Sequence, residues 1–285
     1  MLKISKIGLI SKEGDATAKE WAKKTAKLLL ENGFGVTGFP NIRMKGVDHV
    51  PSVRDIGKSK IDLVITFSGD GTILKLLRSL DSTIPCLCVN VGGRGILAET
   101  KPADIEKSIE RIVKGSFTVE KRLRISPSIG SKTLPPALNE VVLVRQSFAK
   151  TPTFTIDLGS GAVFTQRMDG LIVTTPTGST GHSFSYGSPF VQGTLDVLTL
   201  TPLAPIYRFP PIILAPTRIK VKGDYALQLV IDGQETFRVE ADIEVSFKRN
   251  EKDAVFVRFE KAGAYRQLSN LISLENNSNG NKRKV

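Results

Sequence analysis

Hydrophobic and polar positions along the 285-residue chain follow two regimes, which change over near residue 115. Before that point, short apolar runs alternate with segments of helical period. Lys3 to Ile10 carries a strand pattern. Asp15 is placed to cap a helix from Ala16 to Glu31, with Trp21, Thr25, Leu28 and Leu29 along its inner side and Asn32-Gly33 closing it. Gly35 to Phe39 reads as a second strand, and Pro40 to Lys60 as a loop with a short helix. Leu63 to Phe67 has the length and composition of a buried strand, and the segment from Thr72 sets Ile73, Leu76 and Leu77 on one helical side. Pro85 to Val91 is a further strand, and Pro102 to Lys114 a helix with Ile105, Ile109 and Ile112 inward. Strands alternating with helices predict an α/β domain over residues 1–115, built on a mostly parallel, Rossmann-like sheet.

From Phe117 onward the helical period is lost. Short strand-like runs separated by turn signals follow, among them Phe117 to Ile125, Glu140 to Arg145, Thr153 to Leu158, Gly170 to Thr175, Ala226 to Ile231 and Asp242 to Phe247. They predict an all-β, sandwich-like domain over 116–259. Residues 260–285 form a C-terminal segment whose end, Glu275 to Val285, has a disordered composition.

Composition narrows the class. Hydrophobic residues at 40% and charged residues at 24% are ordinary for a globular protein, and the length favours two domains. No apolar run approaches the roughly 20 residues of a membrane span. The N-terminus lacks the features of a secretory signal, so a cytoplasmic protein without a membrane partner is expected. Cys86 and Cys88 lie two apart on a predicted strand and face one side; without further ligands they make no metal site, and reduced thiols are expected. The net charge of +12 points to anionic partners. No aromatic–basic platform or zinc-finger pattern marks a nucleic-acid reader.

Candidate chemistry gathers at four places. The apolar run 63–67 breaks into Ser68-Gly69-Asp70-Gly71 before the next helix. A strand–glycine-turn–helix unit aims backbone N–H groups at a phosphate, and here it holds a carboxylate in place of the usual nucleotide-loop residues. Two roles are open to Asp70: capping the helix, or chemistry. A second glycine loop, Asn90 to Glu99, follows a strand end; Asn90 suits either a sugar contact or closure of its own turn. Asn139-Glu140 suits a ribose or marks a strand entry. The stretch Arg167 to Pro189, RMDGLIVTTPTGSTGHSFSYGSP, is dense in hydroxyls and glycines, which suits a ligand with many oxygens. Ser179 lacks the spacing of a nucleophile elbow.

In order and spacing, FSGDGTILK, LNEVVL, DGLIVTTPTGSTGHSFSYGSP and Asp232-Gly233-Gln234 together resemble the NAD kinases. The resemblance implies phosphoryl transfer from ATP or polyphosphate to the 2′-hydroxyl of the adenosine ribose of NAD, with Mg²⁺ and in a homodimer or homotetramer. Asp70 becomes the base, and Gly69, Gly71 and Thr72 hold phosphates. Lys75 contacts the dinucleotide, and Asn139 and Glu140 bind the ribose. Arg167 and Asp169 serve the nicotinamide side. Thr177, Thr180, Gly181, His182, Ser183, Phe184 and Ser185 line the adenosine pocket, and Gln234 adds a contact. The chain departs from the family pattern at Ser68, which replaces a glycine, and at Gly181-His182, where Ala-Tyr is usual. Tyr186 stands at a position normally small, and the 92–95 loop differs in detail. A lipid or sphingoid kinase sharing the GDG turn, or a non-catalytic NAD-sensing or nucleic-acid-binding protein on the same scaffold, are the alternative readings.

Overall fold

The computed structural model describes residues 3–260 except 81–83, 94 and 160, and these fall into two compact units, 3–121 with 254–260, and 122–253. The composition-based expectation for 275–285 lies outside the described residues.

The first unit is a seven-stranded sheet in the order Asp48–His49, Gly35–Phe39, Lys6–Ser11, Leu63–Ser68, Cys86–Asn90, Ala254–Arg258 and Thr118–Arg122. The first six strands pair in parallel. Helix Ala16–Glu31 buries Ala18, Ala22, Thr25, Ala26 and Leu29, while Trp21 and Leu28 pack at the margin of that face. Asp15 caps it, its Oδ1 accepting from the Ala18 N–H at 2.9 Å. Helix Ile105–Val113 adds Ile105, Ile109 and Ile112 to the same core. From the strand Lys6–Ser11 the chain runs to one side of the sheet, and from Leu63–Ser68 to the other. Connections that diverge in this way leave a crevice at the carboxyl ends of the two strands.

The second unit is a sandwich of two antiparallel six-stranded sheets. One runs Val163–Arg167, Thr153–Asp157, Ile219–Gly223, Val245–Arg249, Ile125–Ile129, Lys132–Thr133. The other runs Ile212–Leu214, Leu198–Leu203, Gly170–Thr174, Glu140–Arg145, Leu227–Ile231, Glu235–Val239. Inward side chains of both, such as Phe154, Phe247, Leu143 and Leu229, share one buried core, as alternation in facing sheets dictates.

The boundary differs from the one read off the sequence. The run 117–125 is two strands: Thr118–Arg122 lies at the edge of the first sheet, and Ile125–Ile129 belongs to the sandwich. Ala254–Arg258, expected in the β domain, is a parallel strand of the first sheet with every residue buried. Its Ala-Val-Phe-Val run has no polar alternation, as a strand covered on both faces should.

Candidate active site

Asp70 opens helix Asp70–Ser79 and Gly69 is its cap residue, with no side-chain cap bond at that end. The carboxylate does not serve the helix. Its Oδ2 accepts from the Ile96 N–H at 3.1 Å and its Oδ1 from the Leu97 N–H at 3.0 Å. Asp70 therefore joins the two glycine loops, and each oxygen keeps a lone pair for another donor. The adjoining cavity, about 470 Å³, is lined by Lys12, Asp15, Thr72 and the backbone of Gly69, Gly71, Gly92 and Gly93 among others. Main-chain N–H groups and a helix start beside one ammonium suit an anion.

Asn90 closes its own turn. Its Oδ1 accepts from the Gly92 N–H at 3.1 Å. A Cβ on Gly95, which sits at φ +65, would lie 2.4 Å from Asn90 Nδ2. Of the two roles open to Asn90, the structure shows the turn. Lys75 lines a second cavity beside the first, together with Lys12 and Thr72, which line both. Ser68 is fully buried, its hydroxyl 3.1 Å from that of Thr66.

In the sandwich unit, Asp232 organises the other cluster. It stands at φ 48 in the hairpin between Leu227–Ile231 and Glu235–Val239. Its carboxylate accepts from the N–H groups of Leu138, Asn139 and Glu140 at 3.1, 2.8 and 3.2 Å. Gly178 lies against Asn139 so closely that a Cβ would be 2.4 Å from the Asn139 carbonyl oxygen. Thr174 pairs with Glu140 across neighbouring strands. The buried Asn139 Oδ1, Glu140 Oε2, Thr174 Oγ1, Thr177 Oγ1 and Ser183 Oγ have no hydrogen-bond partner among the described residues. Buried polar atoms are rarely left so; Glu140 and Thr174 are paired across neighbouring strands, with Asn139 and Thr177 close to them in sequence, a set that suits a polar ligand. Burial, then the charge of Asp232, pushes the Glu140 carboxyl up to about 8.

The remaining expected residues divide. Thr180 is half-buried, and Gly181 and Ser185 are exposed; Gly181 packs near Glu140, a Cβ there standing 3.4 Å from Oε2. His182 is exposed, with its ring 5.4 Å from that of Tyr186, so the two departures from the family pattern pack together. Phe184 is 37% exposed. Gln234 lies in the Asp232 hairpin turn, two residues from the Asp232 carboxylate. Asp169 is bound by Arg145 at 3.0 Å, a partner not seen in the sequence, while Arg167 ends an edge strand. Ser179 is committed to Pro176 and Val191 and is no nucleophile. Sequence reasoning missed Lys12, Asp232's threefold grip and the Ile96–Leu97 amides. Only Asp232 had a signal, an Asp-Gly pair between two strands.

Two family models match the chain: the ATP-NAD kinase N-terminal domain over residues 7–117 and the ATP-NAD kinase C-terminal domain over 138–259. The NAD kinase of Methanothermobacter thermautotrophicus is 35% identical over 268 residues, covering 90% of this chain and 92% of its own. That of Pyrococcus furiosus is 31% identical, covering 90% and 95%. The crystal structure of an NAD kinase from Archaeoglobus fulgidus in complex with ATP is 26% identical and covers 94% of this chain and 99% of its own, with a TM-score of 0.76.

Proposed function

The chain belongs to the NAD kinase family and phosphorylates NAD with ATP, and from that premise we propose how its residues do so. The Asp70 carboxylate accepts the proton of the ribose 2′-hydroxyl as the oxygen–phosphorus bond forms and the bond from the γ-phosphorus to the ADP leaving oxygen breaks. In a loose transition state, orienting the hydroxyl matters more than removing its proton early. Two backbone N–H bonds supply that orientation by fixing the carboxylate plane. Gly69, Gly71 and Thr72 hold donor phosphates, with Lys12 supplying positive charge. Mg²⁺ needs only one or two protein carboxylates beside substrate phosphates, and Asp15, lining the same cavity as Asp70, would be the carboxylate to hold it. Held there, the ion would supply charge neutralisation for the phosphates.

Asn139, Glu140 and Thr177, with their unpartnered atoms, hold the acceptor's ribose and adjoining groups. Asp169 and Arg167 serve its nicotinamide side. Among the described residues no helix is long and apolar enough to cross a membrane; a cytoplasmic homo-oligomer is part of the proposal. The observation that carries the reading is the carboxylate pinned at the glycine turn inside an anion-suited cavity. Incubation of purified protein with Mg²⁺, ATP and NAD, with the product identified by mass, should yield NADP and ADP in equal amounts. Absence of NADP under these conditions overturns it.

A further inference from the structure

Glu140 and Asp232 are two buried carboxyl groups at one point of the sandwich unit, 7% and 6% exposed. Asp232 Oδ1 accepts from the Glu140 N–H at 3.2 Å, and the Asp232 N–H donates to the Glu140 carbonyl at 3.0 Å. Their surroundings differ. The Asp232 carboxylate takes three amide donors, those of Leu138, Asn139 and Glu140, and such bonds favour its charged form. Glu140 Oε2 is buried with no hydrogen-bond partner among the described residues. Near it stand Thr174 from the neighbouring strand and Gly181, where a Cβ would lie 3.4 Å from Oε2. The next residue, His182, is exposed, with its ring 5.4 Å from that of Tyr186. The charge acting on Glu140 is that of Asp232.

One carboxyl of such a pair keeps its proton, because two like charges buried together repel each other away from water. The amide donors select which one: Asp232 carries the charge and Glu140 the proton. A protonated carboxyl has what a carboxylate lacks, an O–H to donate. It also sets no further negative charge beside a dinucleotide that already carries a pyrophosphate. We infer that Glu140 holds the acceptor dinucleotide as a neutral acid, donating a hydrogen bond from its buried carboxyl to a ligand oxygen, and that Asp232 is the positioning residue that keeps it neutral and fixes the backbone of residues 138–140. A neutral Glu140 can engage oxygens that bear no hydrogen, such as those of a phosphate or a carboxamide, which a carboxylate would repel. The inference rests on NAD as the acceptor and on Glu140 facing it.

Proton exchange on binding tests it by its sign. The Glu140 carboxyl of the free protein titrates at about 8, so at pH 8 about half of the molecules lack the proton that the complex needs. Calorimetry of NAD binding in buffers of different ionisation enthalpy should show uptake of about half a proton per NAD at pH 8 and almost none at pH 6. Binding without uptake at pH 8, or with release of a proton at pH 7, overturns the inference. Asp232→Asn removes the neighbouring charge. The pH above which the KM for NAD climbs should then fall by about one unit. At pH 8 that KM should rise about fivefold over wild type, while the KM for ATP stays within about twofold. A KM for NAD raised equally at every pH would make Asp232 a structural support and overturns its role; should the variant not fold, the wild-type uptake decides alone. Wild-type protein that forms NADP yet takes up no proton refutes the inference only. Protein that binds no NAD refutes the reading beneath it as well.

Discussion

Asp70 illustrates how one side chain can be both structural and reactive. Its two acceptor oxygens meet two amides of the second glycine loop, so an isosteric amide is a poor substitute: Asp70→Asn presents an NH₂ to one of those N–H groups. Turnover should fall about 10²–10⁴-fold, as expected for loss of a positioned proton acceptor. Stability should fall by about 1–3 kcal/mol, from the donor left facing a donor. Steady-state kinetics and urea denaturation read the two effects separately, and wild-type turnover would remove Asp70 from the chemistry. Glu140 offers a pH test. Its carboxyl titrates near 8 when folded against 4.5 as an ordinary glutamate, so between these values the folded state holds a proton that the unfolded chain has lost. The stabilisation is complete below pH 4.5, declines as pH rises and is gone above about 8. Glu140→Gln should flatten that slope, worth on the order of a few kcal/mol, in denaturation midpoints compared at pH 5 and 8.5. The residue types at both positions were legible in the sequence. Their partners were not, because Ile96, Leu97 and Asp232 lie 26, 27 and 92 residues away and contribute backbone or a turn carboxylate.

At the scale of elements, local pattern told most where the period was strong. The helix Ala16–Glu31 and the strands Gly35–Phe39 and Glu140–Arg145 fall where the apolar spacing set them. The strand Ala254–Arg258 was legible as a strand but not as a member of the first sheet, since its partners Cys86–Asn90 are distant in sequence. Its side chains say why it belongs there. Arg258, 7% exposed, meets Glu99 at 3.4 Å and Glu120 at 3.0 Å, and its guanidinium also donates to the Leu97 carbonyl. The amide of that same Leu97 holds Asp70. Arg258→Met takes the guanidinium away from two largely buried carboxylates, and should cost about 3–5 kcal/mol. It should also lower kcat per folded molecule at saturating substrates, because the Leu97 peptide is released from one side. A stability loss with kcat unchanged would show that Asp70 is held without this strand.

For the molecule as a whole, the sandwich unit is contiguous in sequence and the sheet unit is not. A fragment of residues 122–253 contains both of its sheets and its whole core, and should unfold cooperatively in denaturant. A fragment of residues 1–121 lacks the strand that supplies the fully buried Phe256 and Val257, and should show a broad transition or none. Adding residues 254–260 as a separate peptide should sharpen it. A cooperative transition in the short fragment would mean that the last strand is dispensable.

The late return of the chain to its first sheet also orders events during synthesis. The Asp70 loop emerges early, but the arginine that steadies its neighbour lies beyond the entire sandwich. At about 5–20 residues per second, translation adds that strand on the order of ten seconds after the first unit's other strands. Throughout that interval a nascent chain has the glycine turns without their final brace, so competence to handle nucleotides waits until the whole sandwich has been made.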